Sequence, residues 1–202
     1  MGTSYNQDRA FTDAVHNNVA LMKIYPQLGW VQDNIDPEQL LSMDINNGID
    51  YVFKDEAGAI ITVQERFREA KYQRYGDFTI RYRRDYNPDP SRHASEYSKM
   101  DADYFTYGIT NSNNKLDPSS ATDFIKFVVL NVKKIYEKID SGLIVFRKSN
   151  SNFKESFITE GKIIAPILNN KDFSSNFVAI RIDNLIQLFG DEVYLIQKGY
   201  LD

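Results

Sequence analysis

Residues 77–84 alternate without a break: Phe78, Ile80 and Tyr82 fall on one side of the chain, Thr79, Arg81 and Arg83 on the other. Successive side chains of an extended backbone point to opposite faces, so the run reads as a strand with one face in a core and the other charged. Residues 5–25 repeat differently. Phe11, Ala14, Val15, Val19, Leu21, Met22 and Tyr25 recur at intervals of three and four, the stripe of an amphipathic helix that Pro26 and Gly29 end. A chain carrying both periods must lay a helix on a sheet to bury both stripes, so a mixed α/β fold is expected.

The same reading orders the rest of the first half. A polar stretch from Asp33 to Asn47 holds a short helical turn opened by Asp36 and Pro37. Ile49–Lys54 and Ala59–Glu69 are β-rich and are joined by Asp55–Gly58, a hairpin connection. Asn87–Pro90 breaks the chain, Ser91–Met100 suits a helix, and Tyr104–Ile109 reads as a further strand in which Gly108 marks a bulge or close packing. Beyond Asp117, the apolar residues Phe124, Phe127, Val128, Leu130, Val132, Ile135 and Ile139 predict one long helix reaching Gly142. Strands are expected at Leu143–Phe146, Lys162–Leu168 and Phe177–Ile182, with a closing helix at Asp183–Phe189. The expected organisation is a single domain over 1–202, with a core at 5–110 and a C-terminal elaboration at 117–202.

Composition removes whole classes of chemistry. With no cysteine there is no disulfide, thiolate metal site or cysteine nucleophile, and with only His16 and His93 a metal centre would need oxygen ligands. No run approaches the roughly 18 apolar residues of a membrane span, and the N-terminus lacks the basic and apolar regions of a signal peptide, so a cytoplasmic protein with no membrane partner is expected. The net charge of −4 disfavours nucleic-acid binding by the surface at large and directs attention to local patches. One exists: between Ile61 and Arg84, seven basic residues (Arg66, Arg68, Lys71, Arg74, Arg81, Arg83, Arg84) face three acids and are interleaved with Phe67, Tyr72, Tyr75 and Tyr82. Cations reach phosphates and rings stack on unpaired bases, the footprint of a nucleic-acid groove. The same alternation would also protect an exposed sheet edge.

Across the hairpin, Asp50 stands near Gln64 and Arg66, which share one face, whereas Glu65 lies on the other with Ile61, Val63 and Phe67. A carboxylate, an amide oxygen and a fixed cation could hold a hard divalent ion and a phosphate. They could equally form a structural charge pair at a sheet rim. Asp8 falls on the apolar arc of the first helix, as a further ligand or as a first-turn acid suited to a helix N-terminus.

This element order and these residues resemble the PD-(D/E)XK nuclease superfamily, the restriction-endonuclease-like fold, over roughly residues 5–110. The resemblance implies a core of helix, three strands, helix and strand. It carries Asp50 onto the family's Asp, Gln64 onto its Glu-or-Gln, Arg66 onto its Lys, and Asp8 onto the helix acid. It implies phosphodiester hydrolysis with Mg²⁺ or Mn²⁺ on Asp50, Gln64 and Asp8, and nucleic acid, DNA first, as partner; it leaves Asp44 unplaced, and this acid six residues before Asp50 could either support the ligands from behind or be an alternative ligand. Arg68, Lys71, Arg74, Arg81, Arg83 and Arg84 would line the groove, and a homodimer is compatible with it. Two departures bear on catalysis: Gln64 removes an anionic ligand, and the Arg66 guanidinium cannot relay a proton as an ammonium can. A non-catalytic module binding nucleic acid or protein through strands 59–84 is the alternative.

Overall fold

The computed structural model describes residues 2–84, 87, 89–90, 93, 95–170 and 175–201, with backbone alone for 2–6. In chain order it contains α1 (Gly2–Val15), α2 (Leu21–Lys23), β1 (Val31–Gln32), α3 (Pro37–Asn47), β2 (Tyr51–Lys54), β3 (Ile60–Arg68), β4 (Asp77–Arg83), α4 (Glu96–Lys99), β5 (Tyr104–Thr110) and β6 (Phe124–Asn131). It continues through α5 (Val132–Asp140), β7 (Ile144–Lys148), β8 (Phe157–Thr159), β9 (Lys162–Asn169), β10 (Asn176–Arg181), α6 (Ile182–Phe189) and β11 (Tyr194–Lys198). The chain is therefore mixed α/β. Among the described residues no helix is long and apolar enough to cross a membrane.

Two sheets form. The first runs β1-β2-β3-β5-β6-β11, with β3 and β5 parallel and the other neighbours antiparallel. The second runs β4-β10-β9-β7, and β8 pairs with the first part of β9. The middle strands of the first sheet are largely apolar on both faces because both are covered. Phe105, Tyr107, Val128 and Leu130 meet Phe78, Ile80, Val178 and Ile180 of the second sheet, while Val63, Phe67, Phe127 and Val129 meet Phe11, Val15 and Val19 of the N-terminal helix.

Several expectations are corrected. The N-terminal stripe is set by a π-helical turn at His16–Ala20, whose wider spacing rotates the residues after it. Phe11, Val15 and Val19 are buried as expected, but Ala20 and Ile24 carry the stripe onward, and Met22 is 65% exposed. The turn expected at Asp36 is a full helix: the Asp36 carboxylate accepts from the Glu38 and Gln39 N–H groups, and Gly48 closes the helix at φ 63°. Strand β4 does not join the hairpin sheet. It pairs with β10, so residues 48–110 are shared between two sheets. The long helix expected after Asp117 begins only at Val132, where Asn131 caps it through Lys134 N–H. Its expected first turns are β6, a near-continuous apolar run that satisfies both faces of an interior strand. Of the expected helix at 91–100, Glu96–Lys99 is helical; residues 91, 92 and 94 lie outside the described residues.

Candidate functional site

The close of α3 at Gly48 brings Asp44, in its last turn, beside Asp50, which enters β2. The Asp50 N–H donates to the Val63 carbonyl (2.9 Å), and Val63 is also the residue opposite Tyr51. Two residues thus face one, as in a β-bulge, a device that re-aims a side chain. The Asp50 carboxylate turns to α1. Its Oδ1 accepts from Arg9 Nη1 (3.1 Å) and its Oδ2 from the Glu65 backbone N–H (2.8 Å). The same guanidinium donates to Asp44 Oδ2 (2.7 Å) and Asp13 Oδ1 (3.0 Å), and Asp13 Oδ1 also accepts from Tyr51 OH (2.9 Å).

Behind this lies a fully buried group. Glu65 Oε1 is 2.8 Å from His16 Nδ1 and accepts from Tyr25 OH, whose oxygen also reaches Thr106 Oγ1 (3.2 Å). The His16 ring stacks on Tyr51 at 3.5 Å between centroids. Burial lifts the Asp50 carboxyl to about 7, with Asp44 and Glu65 adding to the shift and the Glu65 N–H and Arg9 opposing it. Burial likewise raises the Tyr25 and Tyr51 hydroxyls, reinforced by Glu65.

Gln64 and Arg66 join a different cluster. Gln64 Nε2 (3.1 Å) and Arg66 Nη2 (2.8 Å) both donate to Glu96 Oε1. Arg66 Nη1 donates to the Thr79 carbonyl (2.5 Å) and hydroxyl (2.9 Å), and Glu96 Oε2 accepts the Arg81 N–H (2.9 Å). Thr79 and Arg81 are on the edge of β4 away from β10, so the pair satisfies an edge carbonyl and an edge N–H while tying β3 to the second sheet. Burial opposes ionisation of Glu96, but Arg66 and the Arg81 N–H outweigh it and hold its carboxyl below the usual range.

Against the expected site, Asp50 is thus parted from Gln64 and Arg66: it contacts the α1 side, and they contact α4 and β4. Asp8 is not a partner of Asp50 at all. It is 62% exposed at its side chain and ion-paired with Lys115, and the helix residue that reaches Asp50 is Arg9. The six residues expected in a basic groove divide as well. Arg68, Lys71 and Arg74 gather on the β3–β4 connection: Arg68 lies over the Tyr72 ring (5.6 Å), Lys71 over the same ring (5.2 Å), and Arg74 over Tyr75 (4.8 Å). Arg81, Arg83 and Arg84 stand at the far end of β4, where the Arg84 N–H donates to His93 O. Glu65 and Arg9 are the residues that spacing alone passes over. Glu65 had a signal, being an acid on an otherwise apolar strand face, which must find a partner when buried.

The expected metal set does not fit. Asp50, Gln64 and Asp8 do not converge, and among the described residues no three His, Asp or Glu side chains form a group that would hold a metal ion. Comparison with protein-family models, curated proteins and solved structures returns no match.

Proposed function

We propose that this chain is a nucleic-acid-binding protein and that the β3–β4 connection is its contact surface. The observation that carries this reading is the gathering of Arg68, Lys71 and Arg74 on the rings of Tyr72 and Tyr75, which are themselves 6.3 Å apart. Lys71 is paired with Glu69, so four charged side chains there carry a net +2 on a protein of net charge −4. Cations over aromatic faces, with Tyr75 and Arg74 exposed, offer phosphate contacts and stacking platforms together. The test is anisotropy of a labelled oligonucleotide across a salt series. Arg68→Ala with Arg74→Ala should weaken binding and flatten the plot of log affinity against log salt by roughly one unit for each phosphate no longer neutralised. An unchanged slope refutes the surface.

A second reading, the divalent-metal-dependent nuclease that the restriction-endonuclease-like resemblance implies, has one observation in its favour. Asp13, Asp44 and Asp50 surround the single positive charge of Arg9, so the local field is negative and would favour the approach of Mg²⁺ or Mn²⁺, although the three carboxylates do not form a ligand set. Because the donor set is incomplete, no hydrolytic step is assigned. Cleavage of single- or double-stranded DNA or RNA that requires Mn²⁺ and is lost in Asp50→Ala would favour this reading; inactivity with undiminished binding would favour the first.

A further inference from the structure

The opposite edge of the second sheet carries a cleft that the proposed function does not use. Its volume is about 600 Å³, and Arg147, Lys148 and Lys154 line it together with Phe153, Phe157 and Asn152. This size lies within the roughly 300–1,000 Å³ of sites that hold organic ligands. The three cations are exposed, and among the described residues none has a carboxylate partner. The acid on the wall, Glu155, is already bound to Arg181 (3.3 Å). Phe157 is 47% exposed although it belongs to β8, and it meets Phe153 edge-on with ring centroids 5.6 Å apart. An exposed ring held by a second ring is a fixed flat surface, and the three cations around it supply a field for an anion.

We infer that this cleft binds single-stranded nucleic acid, with a base stacked on Phe157 and backbone phosphates on Arg147, Lys148 and Lys154. A duplex keeps its bases stacked inside and offers no free face to Phe157, so the single strand is preferred. The surface lies across three strand intervals from β4, the strand entered from the β3–β4 connection, and it stands whether or not that connection binds anything.

The experiment is a fluorescence-anisotropy titration of the full chain with a fluorescein-labelled thymidine 12-mer and with a duplex of equal length. Phe157→Ala should weaken single-strand binding by about tenfold, the loss of one stacked base, with duplex binding and thermal stability unchanged. Arg147→Ala and Lys154→Ala should each reduce the salt slope by about 0.7. Arg68→Ala with Arg74→Ala should leave these effects of the cleft variants intact. The inference is overturned if Phe157→Ala binds the 12-mer as the wild type does, if the duplex competes equally for the cleft, or if an acidic peptide, and not the 12-mer, responds to Phe157→Ala. If Arg68 and Arg74 alone account for 12-mer binding, the inference fails while the proposed function stands.

Discussion

The arrangement around Arg66 makes a prediction that separates a structural residue from a catalytic one. Replacing Arg66 by Met keeps the aliphatic bulk but leaves Glu96, 8% exposed at its side chain, without its cation and the Thr79 carbonyl without its donor. Breaking a buried ion pair by removing one partner destabilises by roughly 3–5 kcal/mol. Arg66 is 28% exposed, so water reaches part of the vacated site and the expected loss is smaller, about 2–3 kcal/mol. In a chain of this length, that corresponds to a fall in Tm of roughly 4–12 °C. Glu96→Gln retains an oxygen for the Arg81 N–H and loses the charge, for about 1–2 kcal/mol. The double variant should lose less than the sum, since each single change removes the same ion pair.

The assay is urea unfolding of the four proteins followed by circular dichroism. It has a second axis in pH. The Glu96 carboxyl ionises below its unfolded value, so the pair's stabilisation is complete above the ordinary carboxylate range and disappears as pH falls through the lower folded value. The coupling measured at pH 7 should therefore vanish in strong acid. If Arg66→Met were as stable as the wild type, or the coupling were zero at pH 7, the cross-link between the sheets would have no energetic meaning. An Arg66→Lys protein that is fully stable yet defective in a nucleic-acid assay would move the residue back into a functional role.

Two further perturbations follow from packing and charge. Asp50 has the opposite sign to Glu96: its folded carboxyl is raised to about 7, so ionisation penalises the folded state, increasingly from the ordinary carboxylate range up to that value and fully above it. Asp50→Asn should be more stable than the wild type at about pH 8, by on the order of a few kcal/mol, and the two melting curves should converge in mild acid; a variant less stable at both pH values refutes the shift. At Gly108, a Cβ would lie 2.7 Å and 2.8 Å from Phe124 ring carbons and 3.0 Å from Phe67, so Gly108→Ala should destabilise by about 1–3 kcal/mol. Adding Phe124→Leu should recover part of the loss, and a fully stable Gly108→Ala protein would show that the rings yield freely.

How much of this was legible depends on whether the determining interaction is local. The alternation over 77–84, the hairpin at Asp55–Gly58 and the helix start at Asp36 and Pro37 are properties of neighbouring residues, and these are read correctly, although the helix after Asp36 runs on to Asn47 where a short turn was expected. The partner of β4 is not local, since β10 lies about a hundred residues later and nothing in the alternation names it. Phe124–Leu130 is ambiguous for another reason: a buried apolar run carries no period, and the helical spacing of a few of its members prevailed over its β-branched and aromatic character. The π-turn at His16–Ala20 has no composition signal, yet it decides which residues after Val19 are inside.

The candidate site failed to assemble as expected for one geometric reason. Period-two alternation assigns Asp50 to the face of Gln64 and Arg66 only while one residue opposes one. With Asp50 and Tyr51 both set against Val63, the phase slips, and Asp50 meets the backbone of Glu65 and the guanidinium of Arg9 instead. β3 then presents acid–base partners to both sides. Arg66 with Glu96 binds it to the second sheet, and Glu65 with His16 and Tyr25 binds it beneath the N-terminal helix. Alternation along β3 separates Glu65 from Gln64 and Arg66, but the spacing motif joins Asp50 to Gln64 and Arg66, whereas the carboxylate meets the Glu65 backbone and Arg9. Only the set facing α1 retains more negative charge than its cation neutralises, with three carboxylates around Arg9 and Glu65 behind them.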